Sequence, residues 1–480
     1  MRRMWKLDDV NKHNTEDNCW IVLHGTVYDI TSFLPKHPGG RSVLLQSAGK
    51  DASAAFDAVH TIEILEEYMT PDEVLGEVDL RQDVEDVGLR RSEQGSKLLS
   101  KPKPGLTPHS PPLESLLSVS EIESHAMRTL SPKAISYYVS ATDDEITKAA
   151  NGQIYRSILL RPRVFVDCTE CSLETSIIGN KVGLPIYISP AAIARLAHPI
   201  GEAGIASACS KFNGLQIISK NASMSPSEIV KAGPDAVFGW QLYVLKDTAA
   251  TERTLAQIRK IPQIKFIVLT LDAPFPGKRE ADERFKMVEV AGGAPPQAWG
   301  TESGLTWRKT LDWLCKHTSL PIVLKGVQAH EDAYAATLFP AVKGIILSNH
   351  GGRALDTAPT PIQVLLEIRK FCPQVLNSID VLVDGGIKRG TDVVKALALG
   401  AKGVGIGRAA LYGLSVGGKK GVERVLKILA DETITAMRLL GVKTVSELGP
   451  RHVNTSALNS RLFDGSPDIE EVENELRSRL

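Results

Sequence analysis

Residues Ser348 to Arg353 read S-N-H-G-G-R and follow the apolar run G-I-I-L, so they leave the end of a buried strand. His350 can exchange a proton near neutral pH. Arg353 offers a planar fork of donors that fits a carboxylate, and Gly351 and Gly352 let the backbone approach a ligand. Taken alone, the six residues also describe an ordinary strand-to-helix turn with an exposed histidine. A second chemical group lies near the start of the chain, where His37 sits in F-L-P-K-H-P-G-G and His60 follows 23 residues later. Pro35, Pro38, Gly39 and Gly40 hold the His37 imidazole on a stiff loop. Two neutral imidazoles facing each other across an apolar slot can ligate haem iron axially, and Phe33, Leu44, Leu45, Phe56 and Ile64 could line that slot. No C-x-x-C-H is present, so such a haem would be held without covalent attachment. His13 and His24 lack this context and are expected at the surface.

Elements must exist to position these groups. Around His37 and His60, strand-like pieces at Cys19 to Leu23 and Val27 to Ile30 flank a turn at His24 and Gly25, and a helical stretch starts at Ser42. From Arg81 to Ser118 apolar periodicity is lost, and K-P-K-P-G-L-T-P-H-S-P-P reads as a flexible, partly extended connector. A helical lead-in with Tyr137 and Tyr138 follows. Then come eight short apolar runs: Ile186 to Ser189, Leu215 to Ser219, Ala236 to Gln241, Phe266 to Leu271, Ile322 to Lys325, Gly344 to Leu347, Val381 to Asp384 and Gly403 to Ile406. Amphipathic stretches such as Glu202 to Phe212, Trp307 to His317 and Pro361 to Phe371 lie between them. Eight strand-helix units predict an α/β TIM barrel, whose chemistry belongs on the loops at the carboxyl ends of the strands.

Polar residues fall at those ends. Ser219 ends the second run, Gln241 and Tyr243 the third, Thr270 and Asp272 the fourth, and Lys325 the fifth. His350 and Arg353 follow the sixth, Asp384-Gly385-Gly386 the seventh and Gly407-Arg408 the eighth. Packing alone gives no reason for lysine, aspartate, histidine and arginine to share one rim. The glycine turns after the last two runs, with Lys388 and Arg408, fit the phosphate site that such barrels build there, on a cofactor or a phosphorylated substrate. Lys325 can stabilise negative charge on a cofactor, and Gln241 and Thr270 can hydrogen-bond a ring edge. Asp272 is placed to pair with His350, while Arg353, Arg279, Tyr137 and Tyr243 can hold an anionic substrate. A base, its partner, an anion clamp and an electron-accepting ring suit oxidation of a small 2-hydroxy carboxylate.

Composition sets bounds. The 480 residues allow two or three domains, and 56 basic against 56 acidic residues give nothing that attracts nucleic acid or an anionic membrane. No apolar run reaches the roughly 18 residues of a membrane span. Six scattered cysteines do not form a disulfide framework, and Cys168 and Cys171 lack the second pair of a zinc site. The final Ser478-Arg479-Leu480 is a close variant of a peroxisomal address.

With these motifs in place, residues 5 to 80 resemble a cytochrome b5-type haem domain, whose signature is H-P-G-G with a second histidine downstream. Residues 120 to 450 resemble the FMN-dependent 2-hydroxy-acid dehydrogenase and oxidase family through S-N-H-G-G-R, L-T-L-D-A-P, L-P-I-V-L-K-G-V and V-D-G-G-I-K-R-G-T-D-V. The resemblance implies a haem domain at 1–80, a linker at 81–118 and an FMN-binding barrel at 119–450; residues 451–480 read as an ordinary tail that could pack on a neighbouring subunit. It implies haem b on His37 and His60. It also implies His350 as base with Asp272 in support, Tyr137 and Arg353 on the substrate carboxylate, Tyr243 at the hydroxyl end, and Arg279 assisting. FMN would contact Pro190, Ala191, Ala192, Ser219, Gln241, Thr270, Lys325, Asp384, Gly385, Gly386, Lys388, Gly407 and Arg408.

Haem-bearing members imply L-lactate as substrate and a cytochrome c-type protein as acceptor. An oxidase making peroxide, and a haem module with a barrel that only binds flavin, are the other readings. A homotetramer is expected, in the peroxisome by its tail, or in the cytoplasm or mitochondrial intermembrane space by its acceptor. Three positions depart from the family: Lys388 for arginine, which loses the fork toward phosphate, Ala191 for threonine, and Asn221 for a large apolar residue on the substrate side. Pro274 to Gly304 is expected to be a mobile lid.

Overall fold

The computed structural model describes residues 3–37, 41–57, 59–60, 62–78, 112–289, 301–464 and residue 474. Most of the linker, the central part of the expected lid (290–300), Pro38 to Gly40 of the haem motif and the Ser-Arg-Leu terminus lie outside the described residues.

The N-terminal unit is a five-stranded sheet in the order Met4–Trp5, Val74–Val78, Thr26–Asp29, Asn18–Leu23, Asn14–Thr15. Its central hairpin turns at His24 (φ 49°) and Gly25 (φ 80°), two successive left-handed residues whose twist matches the flanking strands. Strand alternation splits the apolar residues between faces. Cys19, Ile21 and Leu23 join Ile30, Leu34, Phe33, Leu44, Leu45 and Phe56 on the histidine side, while Val22 joins Val10, Val27 and Val78 behind. His24 is exposed and meets Asp57 Oδ1 at 3.0 Å. His13 is half-buried at the surface, where its ring stacks on Trp20 at 3.4 Å and bonds Asn18 Oδ1 at 2.7 Å.

All eight expected barrel strands form, and they close in sequence order: Ile186–Ile188, Leu215–Ile218, Val237–Leu242, Ile264–Thr270, Ile322–Val327, Val342–Leu347, Asp380–Asp384 and Gly403–Ile406. The fourth and sixth start two residues earlier than their apolar runs. Exposed Lys265 and Lys343 interrupt those runs without interrupting the ladder, since their side chains leave the outward face.

Inside the barrel Tyr187, Leu215, Ile217, Phe266, Val268, Val323, Ile346 and Leu382 form a closed core. Large rings are accommodated beside missing side chains, for a Cβ at Gly239 would stand 2.4 Å from the Phe266 ring. The hairpin Thr175–Ile177 and Asn180–Val182 adds Ile177, Ile178 and Val182 to this core and seals the amino-terminal end. The polar residues that end the strands stand at the opposite, carboxyl-terminal mouth.

Helix Pro132–Val139, which carries Tyr137, starts where Ser131 Oγ accepts from Ala134 N at 3.2 Å with Pro132 in the first turn. Such a cap contributes about 1 kcal/mol. At the other end of the domain, residues 451–464 pack on this chain itself: Val453–Asn454 pairs with Leu159–Leu160, Leu458 is buried, and Phe463 N donates to Glu367 Oε1 at 3.1 Å.

Candidate active site

The barrel mouth holds a cavity of about 1010 Å³. On its wall His350 lies at the head of three consecutive left-handed residues, with φ of 57°, 67° and 79° at His350, Gly351 and Gly352. A Cβ at 352 would stand 2.7 Å from Lys148 N, so the loop can pass only with glycine there. Asn349 fixes it from beneath: its amide exchanges two 2.8 Å hydrogen bonds with that of Asn151, and its Oδ1 accepts from Gly352 N at 3.2 Å. Ser348 Oγ accepts from His350 N at 3.1 Å and from Lys325 Nζ at 3.0 Å.

His350 Nδ1 meets Asp272 Oδ1 at 3.0 Å. The Asp272 side chain is fully buried, and Lys325 Nζ is 4.0 Å from its Oδ2. Burial pushes this carboxyl up, but the Lys325 ammonium and the His350 ring outweigh it and hold the carboxyl below its ordinary range. A carboxylate only accepts, so Nδ1 carries the proton and Nε2 keeps a free lone pair. A proton arriving at Nε2 then spreads its charge beside a fixed anion. Gly326 (φ 100°) makes this approach possible, because a Cβ there would stand 2.6 Å from Asp272 Cβ.

The anion clamp lies beside it. Arg353 Nη1 donates to the backbone oxygens of Tyr137 (2.9 Å) and Tyr138 (3.2 Å), and Arg279 Nη1 donates to Tyr137 O at 3.1 Å. Both guanidiniums lean on the Tyr137 ring, at 5.2 Å and 5.3 Å. Arg279 is neutralised by Asp282 at 2.7 Å. Burial, with Arg279 alongside, brings Arg353 down to about 10, so it is still a cation at neutral pH. Burial, then the Asp272 charge, pushes the Tyr243 phenol up, so it remains a hydrogen-bond donor. Tyr137, Tyr243, Arg279, Arg353, His350 and Asn221 all border the cavity.

Across from them Ser219 Oγ donates to Gln241 Oε1 (3.1 Å) and Gln241 Nε2 to Thr270 Oγ1 (3.0 Å), a polar ledge fit for a ring edge. Lys325, buried to 3% exposure, sits between Asp272 and Asp384, the latter at 3.9 Å. Gly385 and Gly386 are left-handed, and a Cβ at 386 would lie 2.1 Å from Asn151 O. A Cβ at Gly407 would meet nothing within 4 Å, and this open cradle faces the N-terminus of helix Arg408–Leu439. These residues fit FMN: a buried cation and amide ledge for the ring, a glycine cradle and helix end for the phosphate. Pro190, Ala191 and Ala192 complete the wall. Arg408 Nη2 donates to Gly351 O, tying the phosphate end to the His350 loop. Lys388 reaches the cavity edge, but its Nζ is held by Glu123 Oε2 at 2.6 Å.

In the small domain the His37 and His60 rings stand edge-on to each other, with centroids 5.9 Å apart and planes at 71°. Two metal–nitrogen bonds of roughly 2 Å plus the ring half-widths span a similar distance. Phe33 packs on His37 at 5.8 Å and Phe56 on His60 at 5.3 Å. Burial, then His37, pushes His60 down to about 4, leaving it neutral as a ligand must be. The pair fits an axially ligated haem.

Sequence reasoning missed Asn151, Asn349 as a support, Gly326 and Ser189, whose Oγ donates to Asp384 Oδ2 at 3.2 Å. Asn349 and Gly326 stood inside recognised motifs, but nothing in those motifs pointed to a supporting role.

Residues 126–455 match the family model described as FMN-dependent dehydrogenase, and residues 6–79 match the cytochrome b5-like heme/steroid binding domain. The chain is 38% identical to an L-lactate dehydrogenase (cytochrome) of Saccharomyces cerevisiae, over 96% of this chain and 81% of that one. It is 37% identical to a peroxisomal (S)-2-hydroxyacid oxidase of Arabidopsis thaliana, over 73% of this chain and 99% of that one. A solved flavocytochrome b2 variant with pyruvate bound superposes with a TM-score of 0.69 at 38% identity, covering 76% of this chain and 92% of that one.

Proposed function

The chain belongs to the FMN-dependent dehydrogenase family and carries a cytochrome b5-like domain ahead of its barrel, and from that membership we propose how its own residues work. The protein is an FMN-dependent L-lactate dehydrogenase of the cytochrome type, with FMN and haem b as cofactors. It oxidises an L-2-hydroxy acid to the 2-oxo acid and passes the electrons through the haem domain. A cytochrome c-type protein is the acceptor we infer.

The observation that carries the site assignment is the His350–Asp272 pair at 3.0 Å on the same cavity wall as the Arg353–Tyr137 clamp. Arg353 and Tyr137 hold the substrate carboxylate, with Arg279 bracing Tyr137 through its backbone oxygen and ring, and Tyr243 donates at the hydroxyl end. The hydroxy acid loses two electrons and two protons, and His350 Nε2 takes one of those protons while Asp272 stabilises the imidazolium. FMN, where bound, would supply an acceptor for the electron pair together with the second proton, and haem held by His37 and His60 would supply one-electron relay. Lys325, Gln241 and Thr270 orient the flavin ring, and Gly386, Gly407 and Arg408 orient its phosphate.

Asn221 sets the side-chain end of the substrate, since it borders the cavity, where its backbone oxygen accepts from Ile193 N at 3.0 Å. Asn221→Leu is expected to leave L-lactate turnover within a few-fold. It should lower kcat/KM for longer or polar 2-hydroxy acids by about 10- to 200-fold, as one mismatched group in a pocket does. Steady-state kinetics on an L-lactate, glycolate and long-chain panel reads this, and an unchanged ranking would remove Asn221 from the pocket's specificity.

We further propose a homotetramer, supported by Phe165, fully exposed on a left-handed residue between exposed Val164 and Val166. A monomer mass in light scattering would contradict it. A second reading, an oxidase that returns electrons to oxygen as peroxide, draws on the similarity to a peroxisomal (S)-2-hydroxyacid oxidase. The haem domain weighs against it, and against peroxisomal delivery, because cytochrome c is not a peroxisomal protein. Unaltered localisation of a chain ending at Arg477 is the expected result; loss of a peroxisomal signal would restore the second reading.

A further inference from the structure

Two residues of opposite domains meet directly: Arg195 Nη1 donates to Asp57 O at 2.6 Å. Arg195 follows by three positions Ala192 on the cavity wall, and Asp57 precedes His60 by the same number. We propose that Arg195 is a positioning residue that docks the haem domain on the flavin side of the barrel and so sets the rate of electron transfer between them. This rests on the functional reading above.

The arginine stands on a rigid base. Glu202, buried to 1% exposure, accepts from Ala194 N (2.9 Å), Ser223 N (2.9 Å) and Ser223 Oγ (2.6 Å). Ser223 Oγ in turn accepts from Arg195 N at 3.1 Å. One residue before Ala194, Ile193 is held left-handed at φ 54°, with Tyr138 OH donating to its oxygen at 2.6 Å and its own N donating to Asn221 O at 3.0 Å. The Arg195 backbone is thereby locked to the two loops that wall the flavin cavity. A buried carboxylate with three donors costs desolvation that only satisfied geometry offsets, and its effect here is to fix where the guanidinium projects.

The acceptor is equally well placed. Asp57 ends the helix Ser53–Asp57, whose final carbonyls lack intrahelical donors and bear partial negative charge. The Asp57 carboxylate is already turned to His24 at 3.0 Å, leaving its backbone oxygen for the arginine. From this point rigidity continues to the iron site, since His60 N donates to Phe56 O at 2.8 Å and the Phe56 ring packs on His60 at 5.3 Å. Helix Glu63–Tyr68 packs on the barrel helix Thr248–Ile258, a second contact on the same side. A charged hydrogen bond between partly exposed groups is strong enough to bias docking and weak enough to release it.

The test uses the full-length holoprotein and stopped-flow absorbance, following flavin bleaching by L-lactate and the haem reduction that follows. In Arg195→Gln, flavin bleaching should keep its rate, while haem reduction slows about 3- to 10-fold, the weight of one half-screened charged hydrogen bond. Arg195→Lys should recover most of that loss, which a merely local packing role would not give. Haem reduction at the parent rate in Arg195→Gln overturns the proposal, as does a slow Arg195→Lys beside an equally slow Arg195→Gln. Flash reduction of the flavin without any hydroxy acid reads the same transfer step. If the parent fails to bleach with hydroxy acids, the functional reading falls, and the flash experiment still decides the role of Arg195.

Discussion

His350→Gln lowers kcat for L-lactate by about 10²- to 10⁴-fold, the usual contribution of a positioned general base, with FMN and haem contents unchanged. The size follows from what is lost. Only Nε2 of His350 combines a free lone pair with a compensating anion, because Nδ1 is committed to Asp272 at 3.0 Å. Glutamine keeps the volume and a donor, but no site on it accepts a proton near neutral pH. KM should move little, since the carboxylate clamp is made by Arg353 and Tyr137. Asp272→Asn should be slower than the parent, because an amide brings no charge to stabilise the imidazolium, and faster than His350→Gln, because the amide oxygen can still accept from Nδ1 and leave Nε2 open. Rapid-mixing measurement of flavin bleaching isolates the step. A His350→Gln enzyme within a few-fold of the parent would assign the proton to another group.

The second large effect separates the two halves of the molecule. His37→Ala or His60→Ala leaves one imidazole where two rings stand 5.9 Å apart, and the bound haem should be lost or left with an open axial position. Cytochrome c reduction should then fall to background. L-lactate should still bleach the flavin at the parent rate, and a small artificial acceptor such as ferricyanide should still be reduced. That pattern follows because neither histidine touches the barrel cavity, whose lining comes entirely from residues after Ser118. Full cytochrome c reduction without haem would mean the flavin serves the acceptor directly.

The barrel was readable in the sequence because its strands are buried on both faces and appear as unbroken apolar runs ended by polar residues. Where the outward face meets solvent, at Lys265 and Lys343, the same reading started the strand late. Rim residues were legible for the same reason, each standing just past a run. Support contacts were not. Asn151 and Asn349 are 198 positions apart, and Arg195 and Asp57 are 138 apart, so no spacing announces them. Gly326 looked like any strand glycine until the nearby Asp272 gave it a reason. Lys388 was read as a phosphate cation, and the Glu123 that holds it comes from a helix with no chemical signature of its own.

The most direct measurement is the visible spectrum of the holoprotein without oxygen, before and after L-lactate, and again on adding ferric cytochrome c. Flavin bleaching followed by sharpening of the haem bands, then reoxidation of both by cytochrome c, is the predicted sequence. Flavin bleaching with the haem left oxidised, and instant recovery with peroxide when air enters, would contradict electron flow through the haem domain.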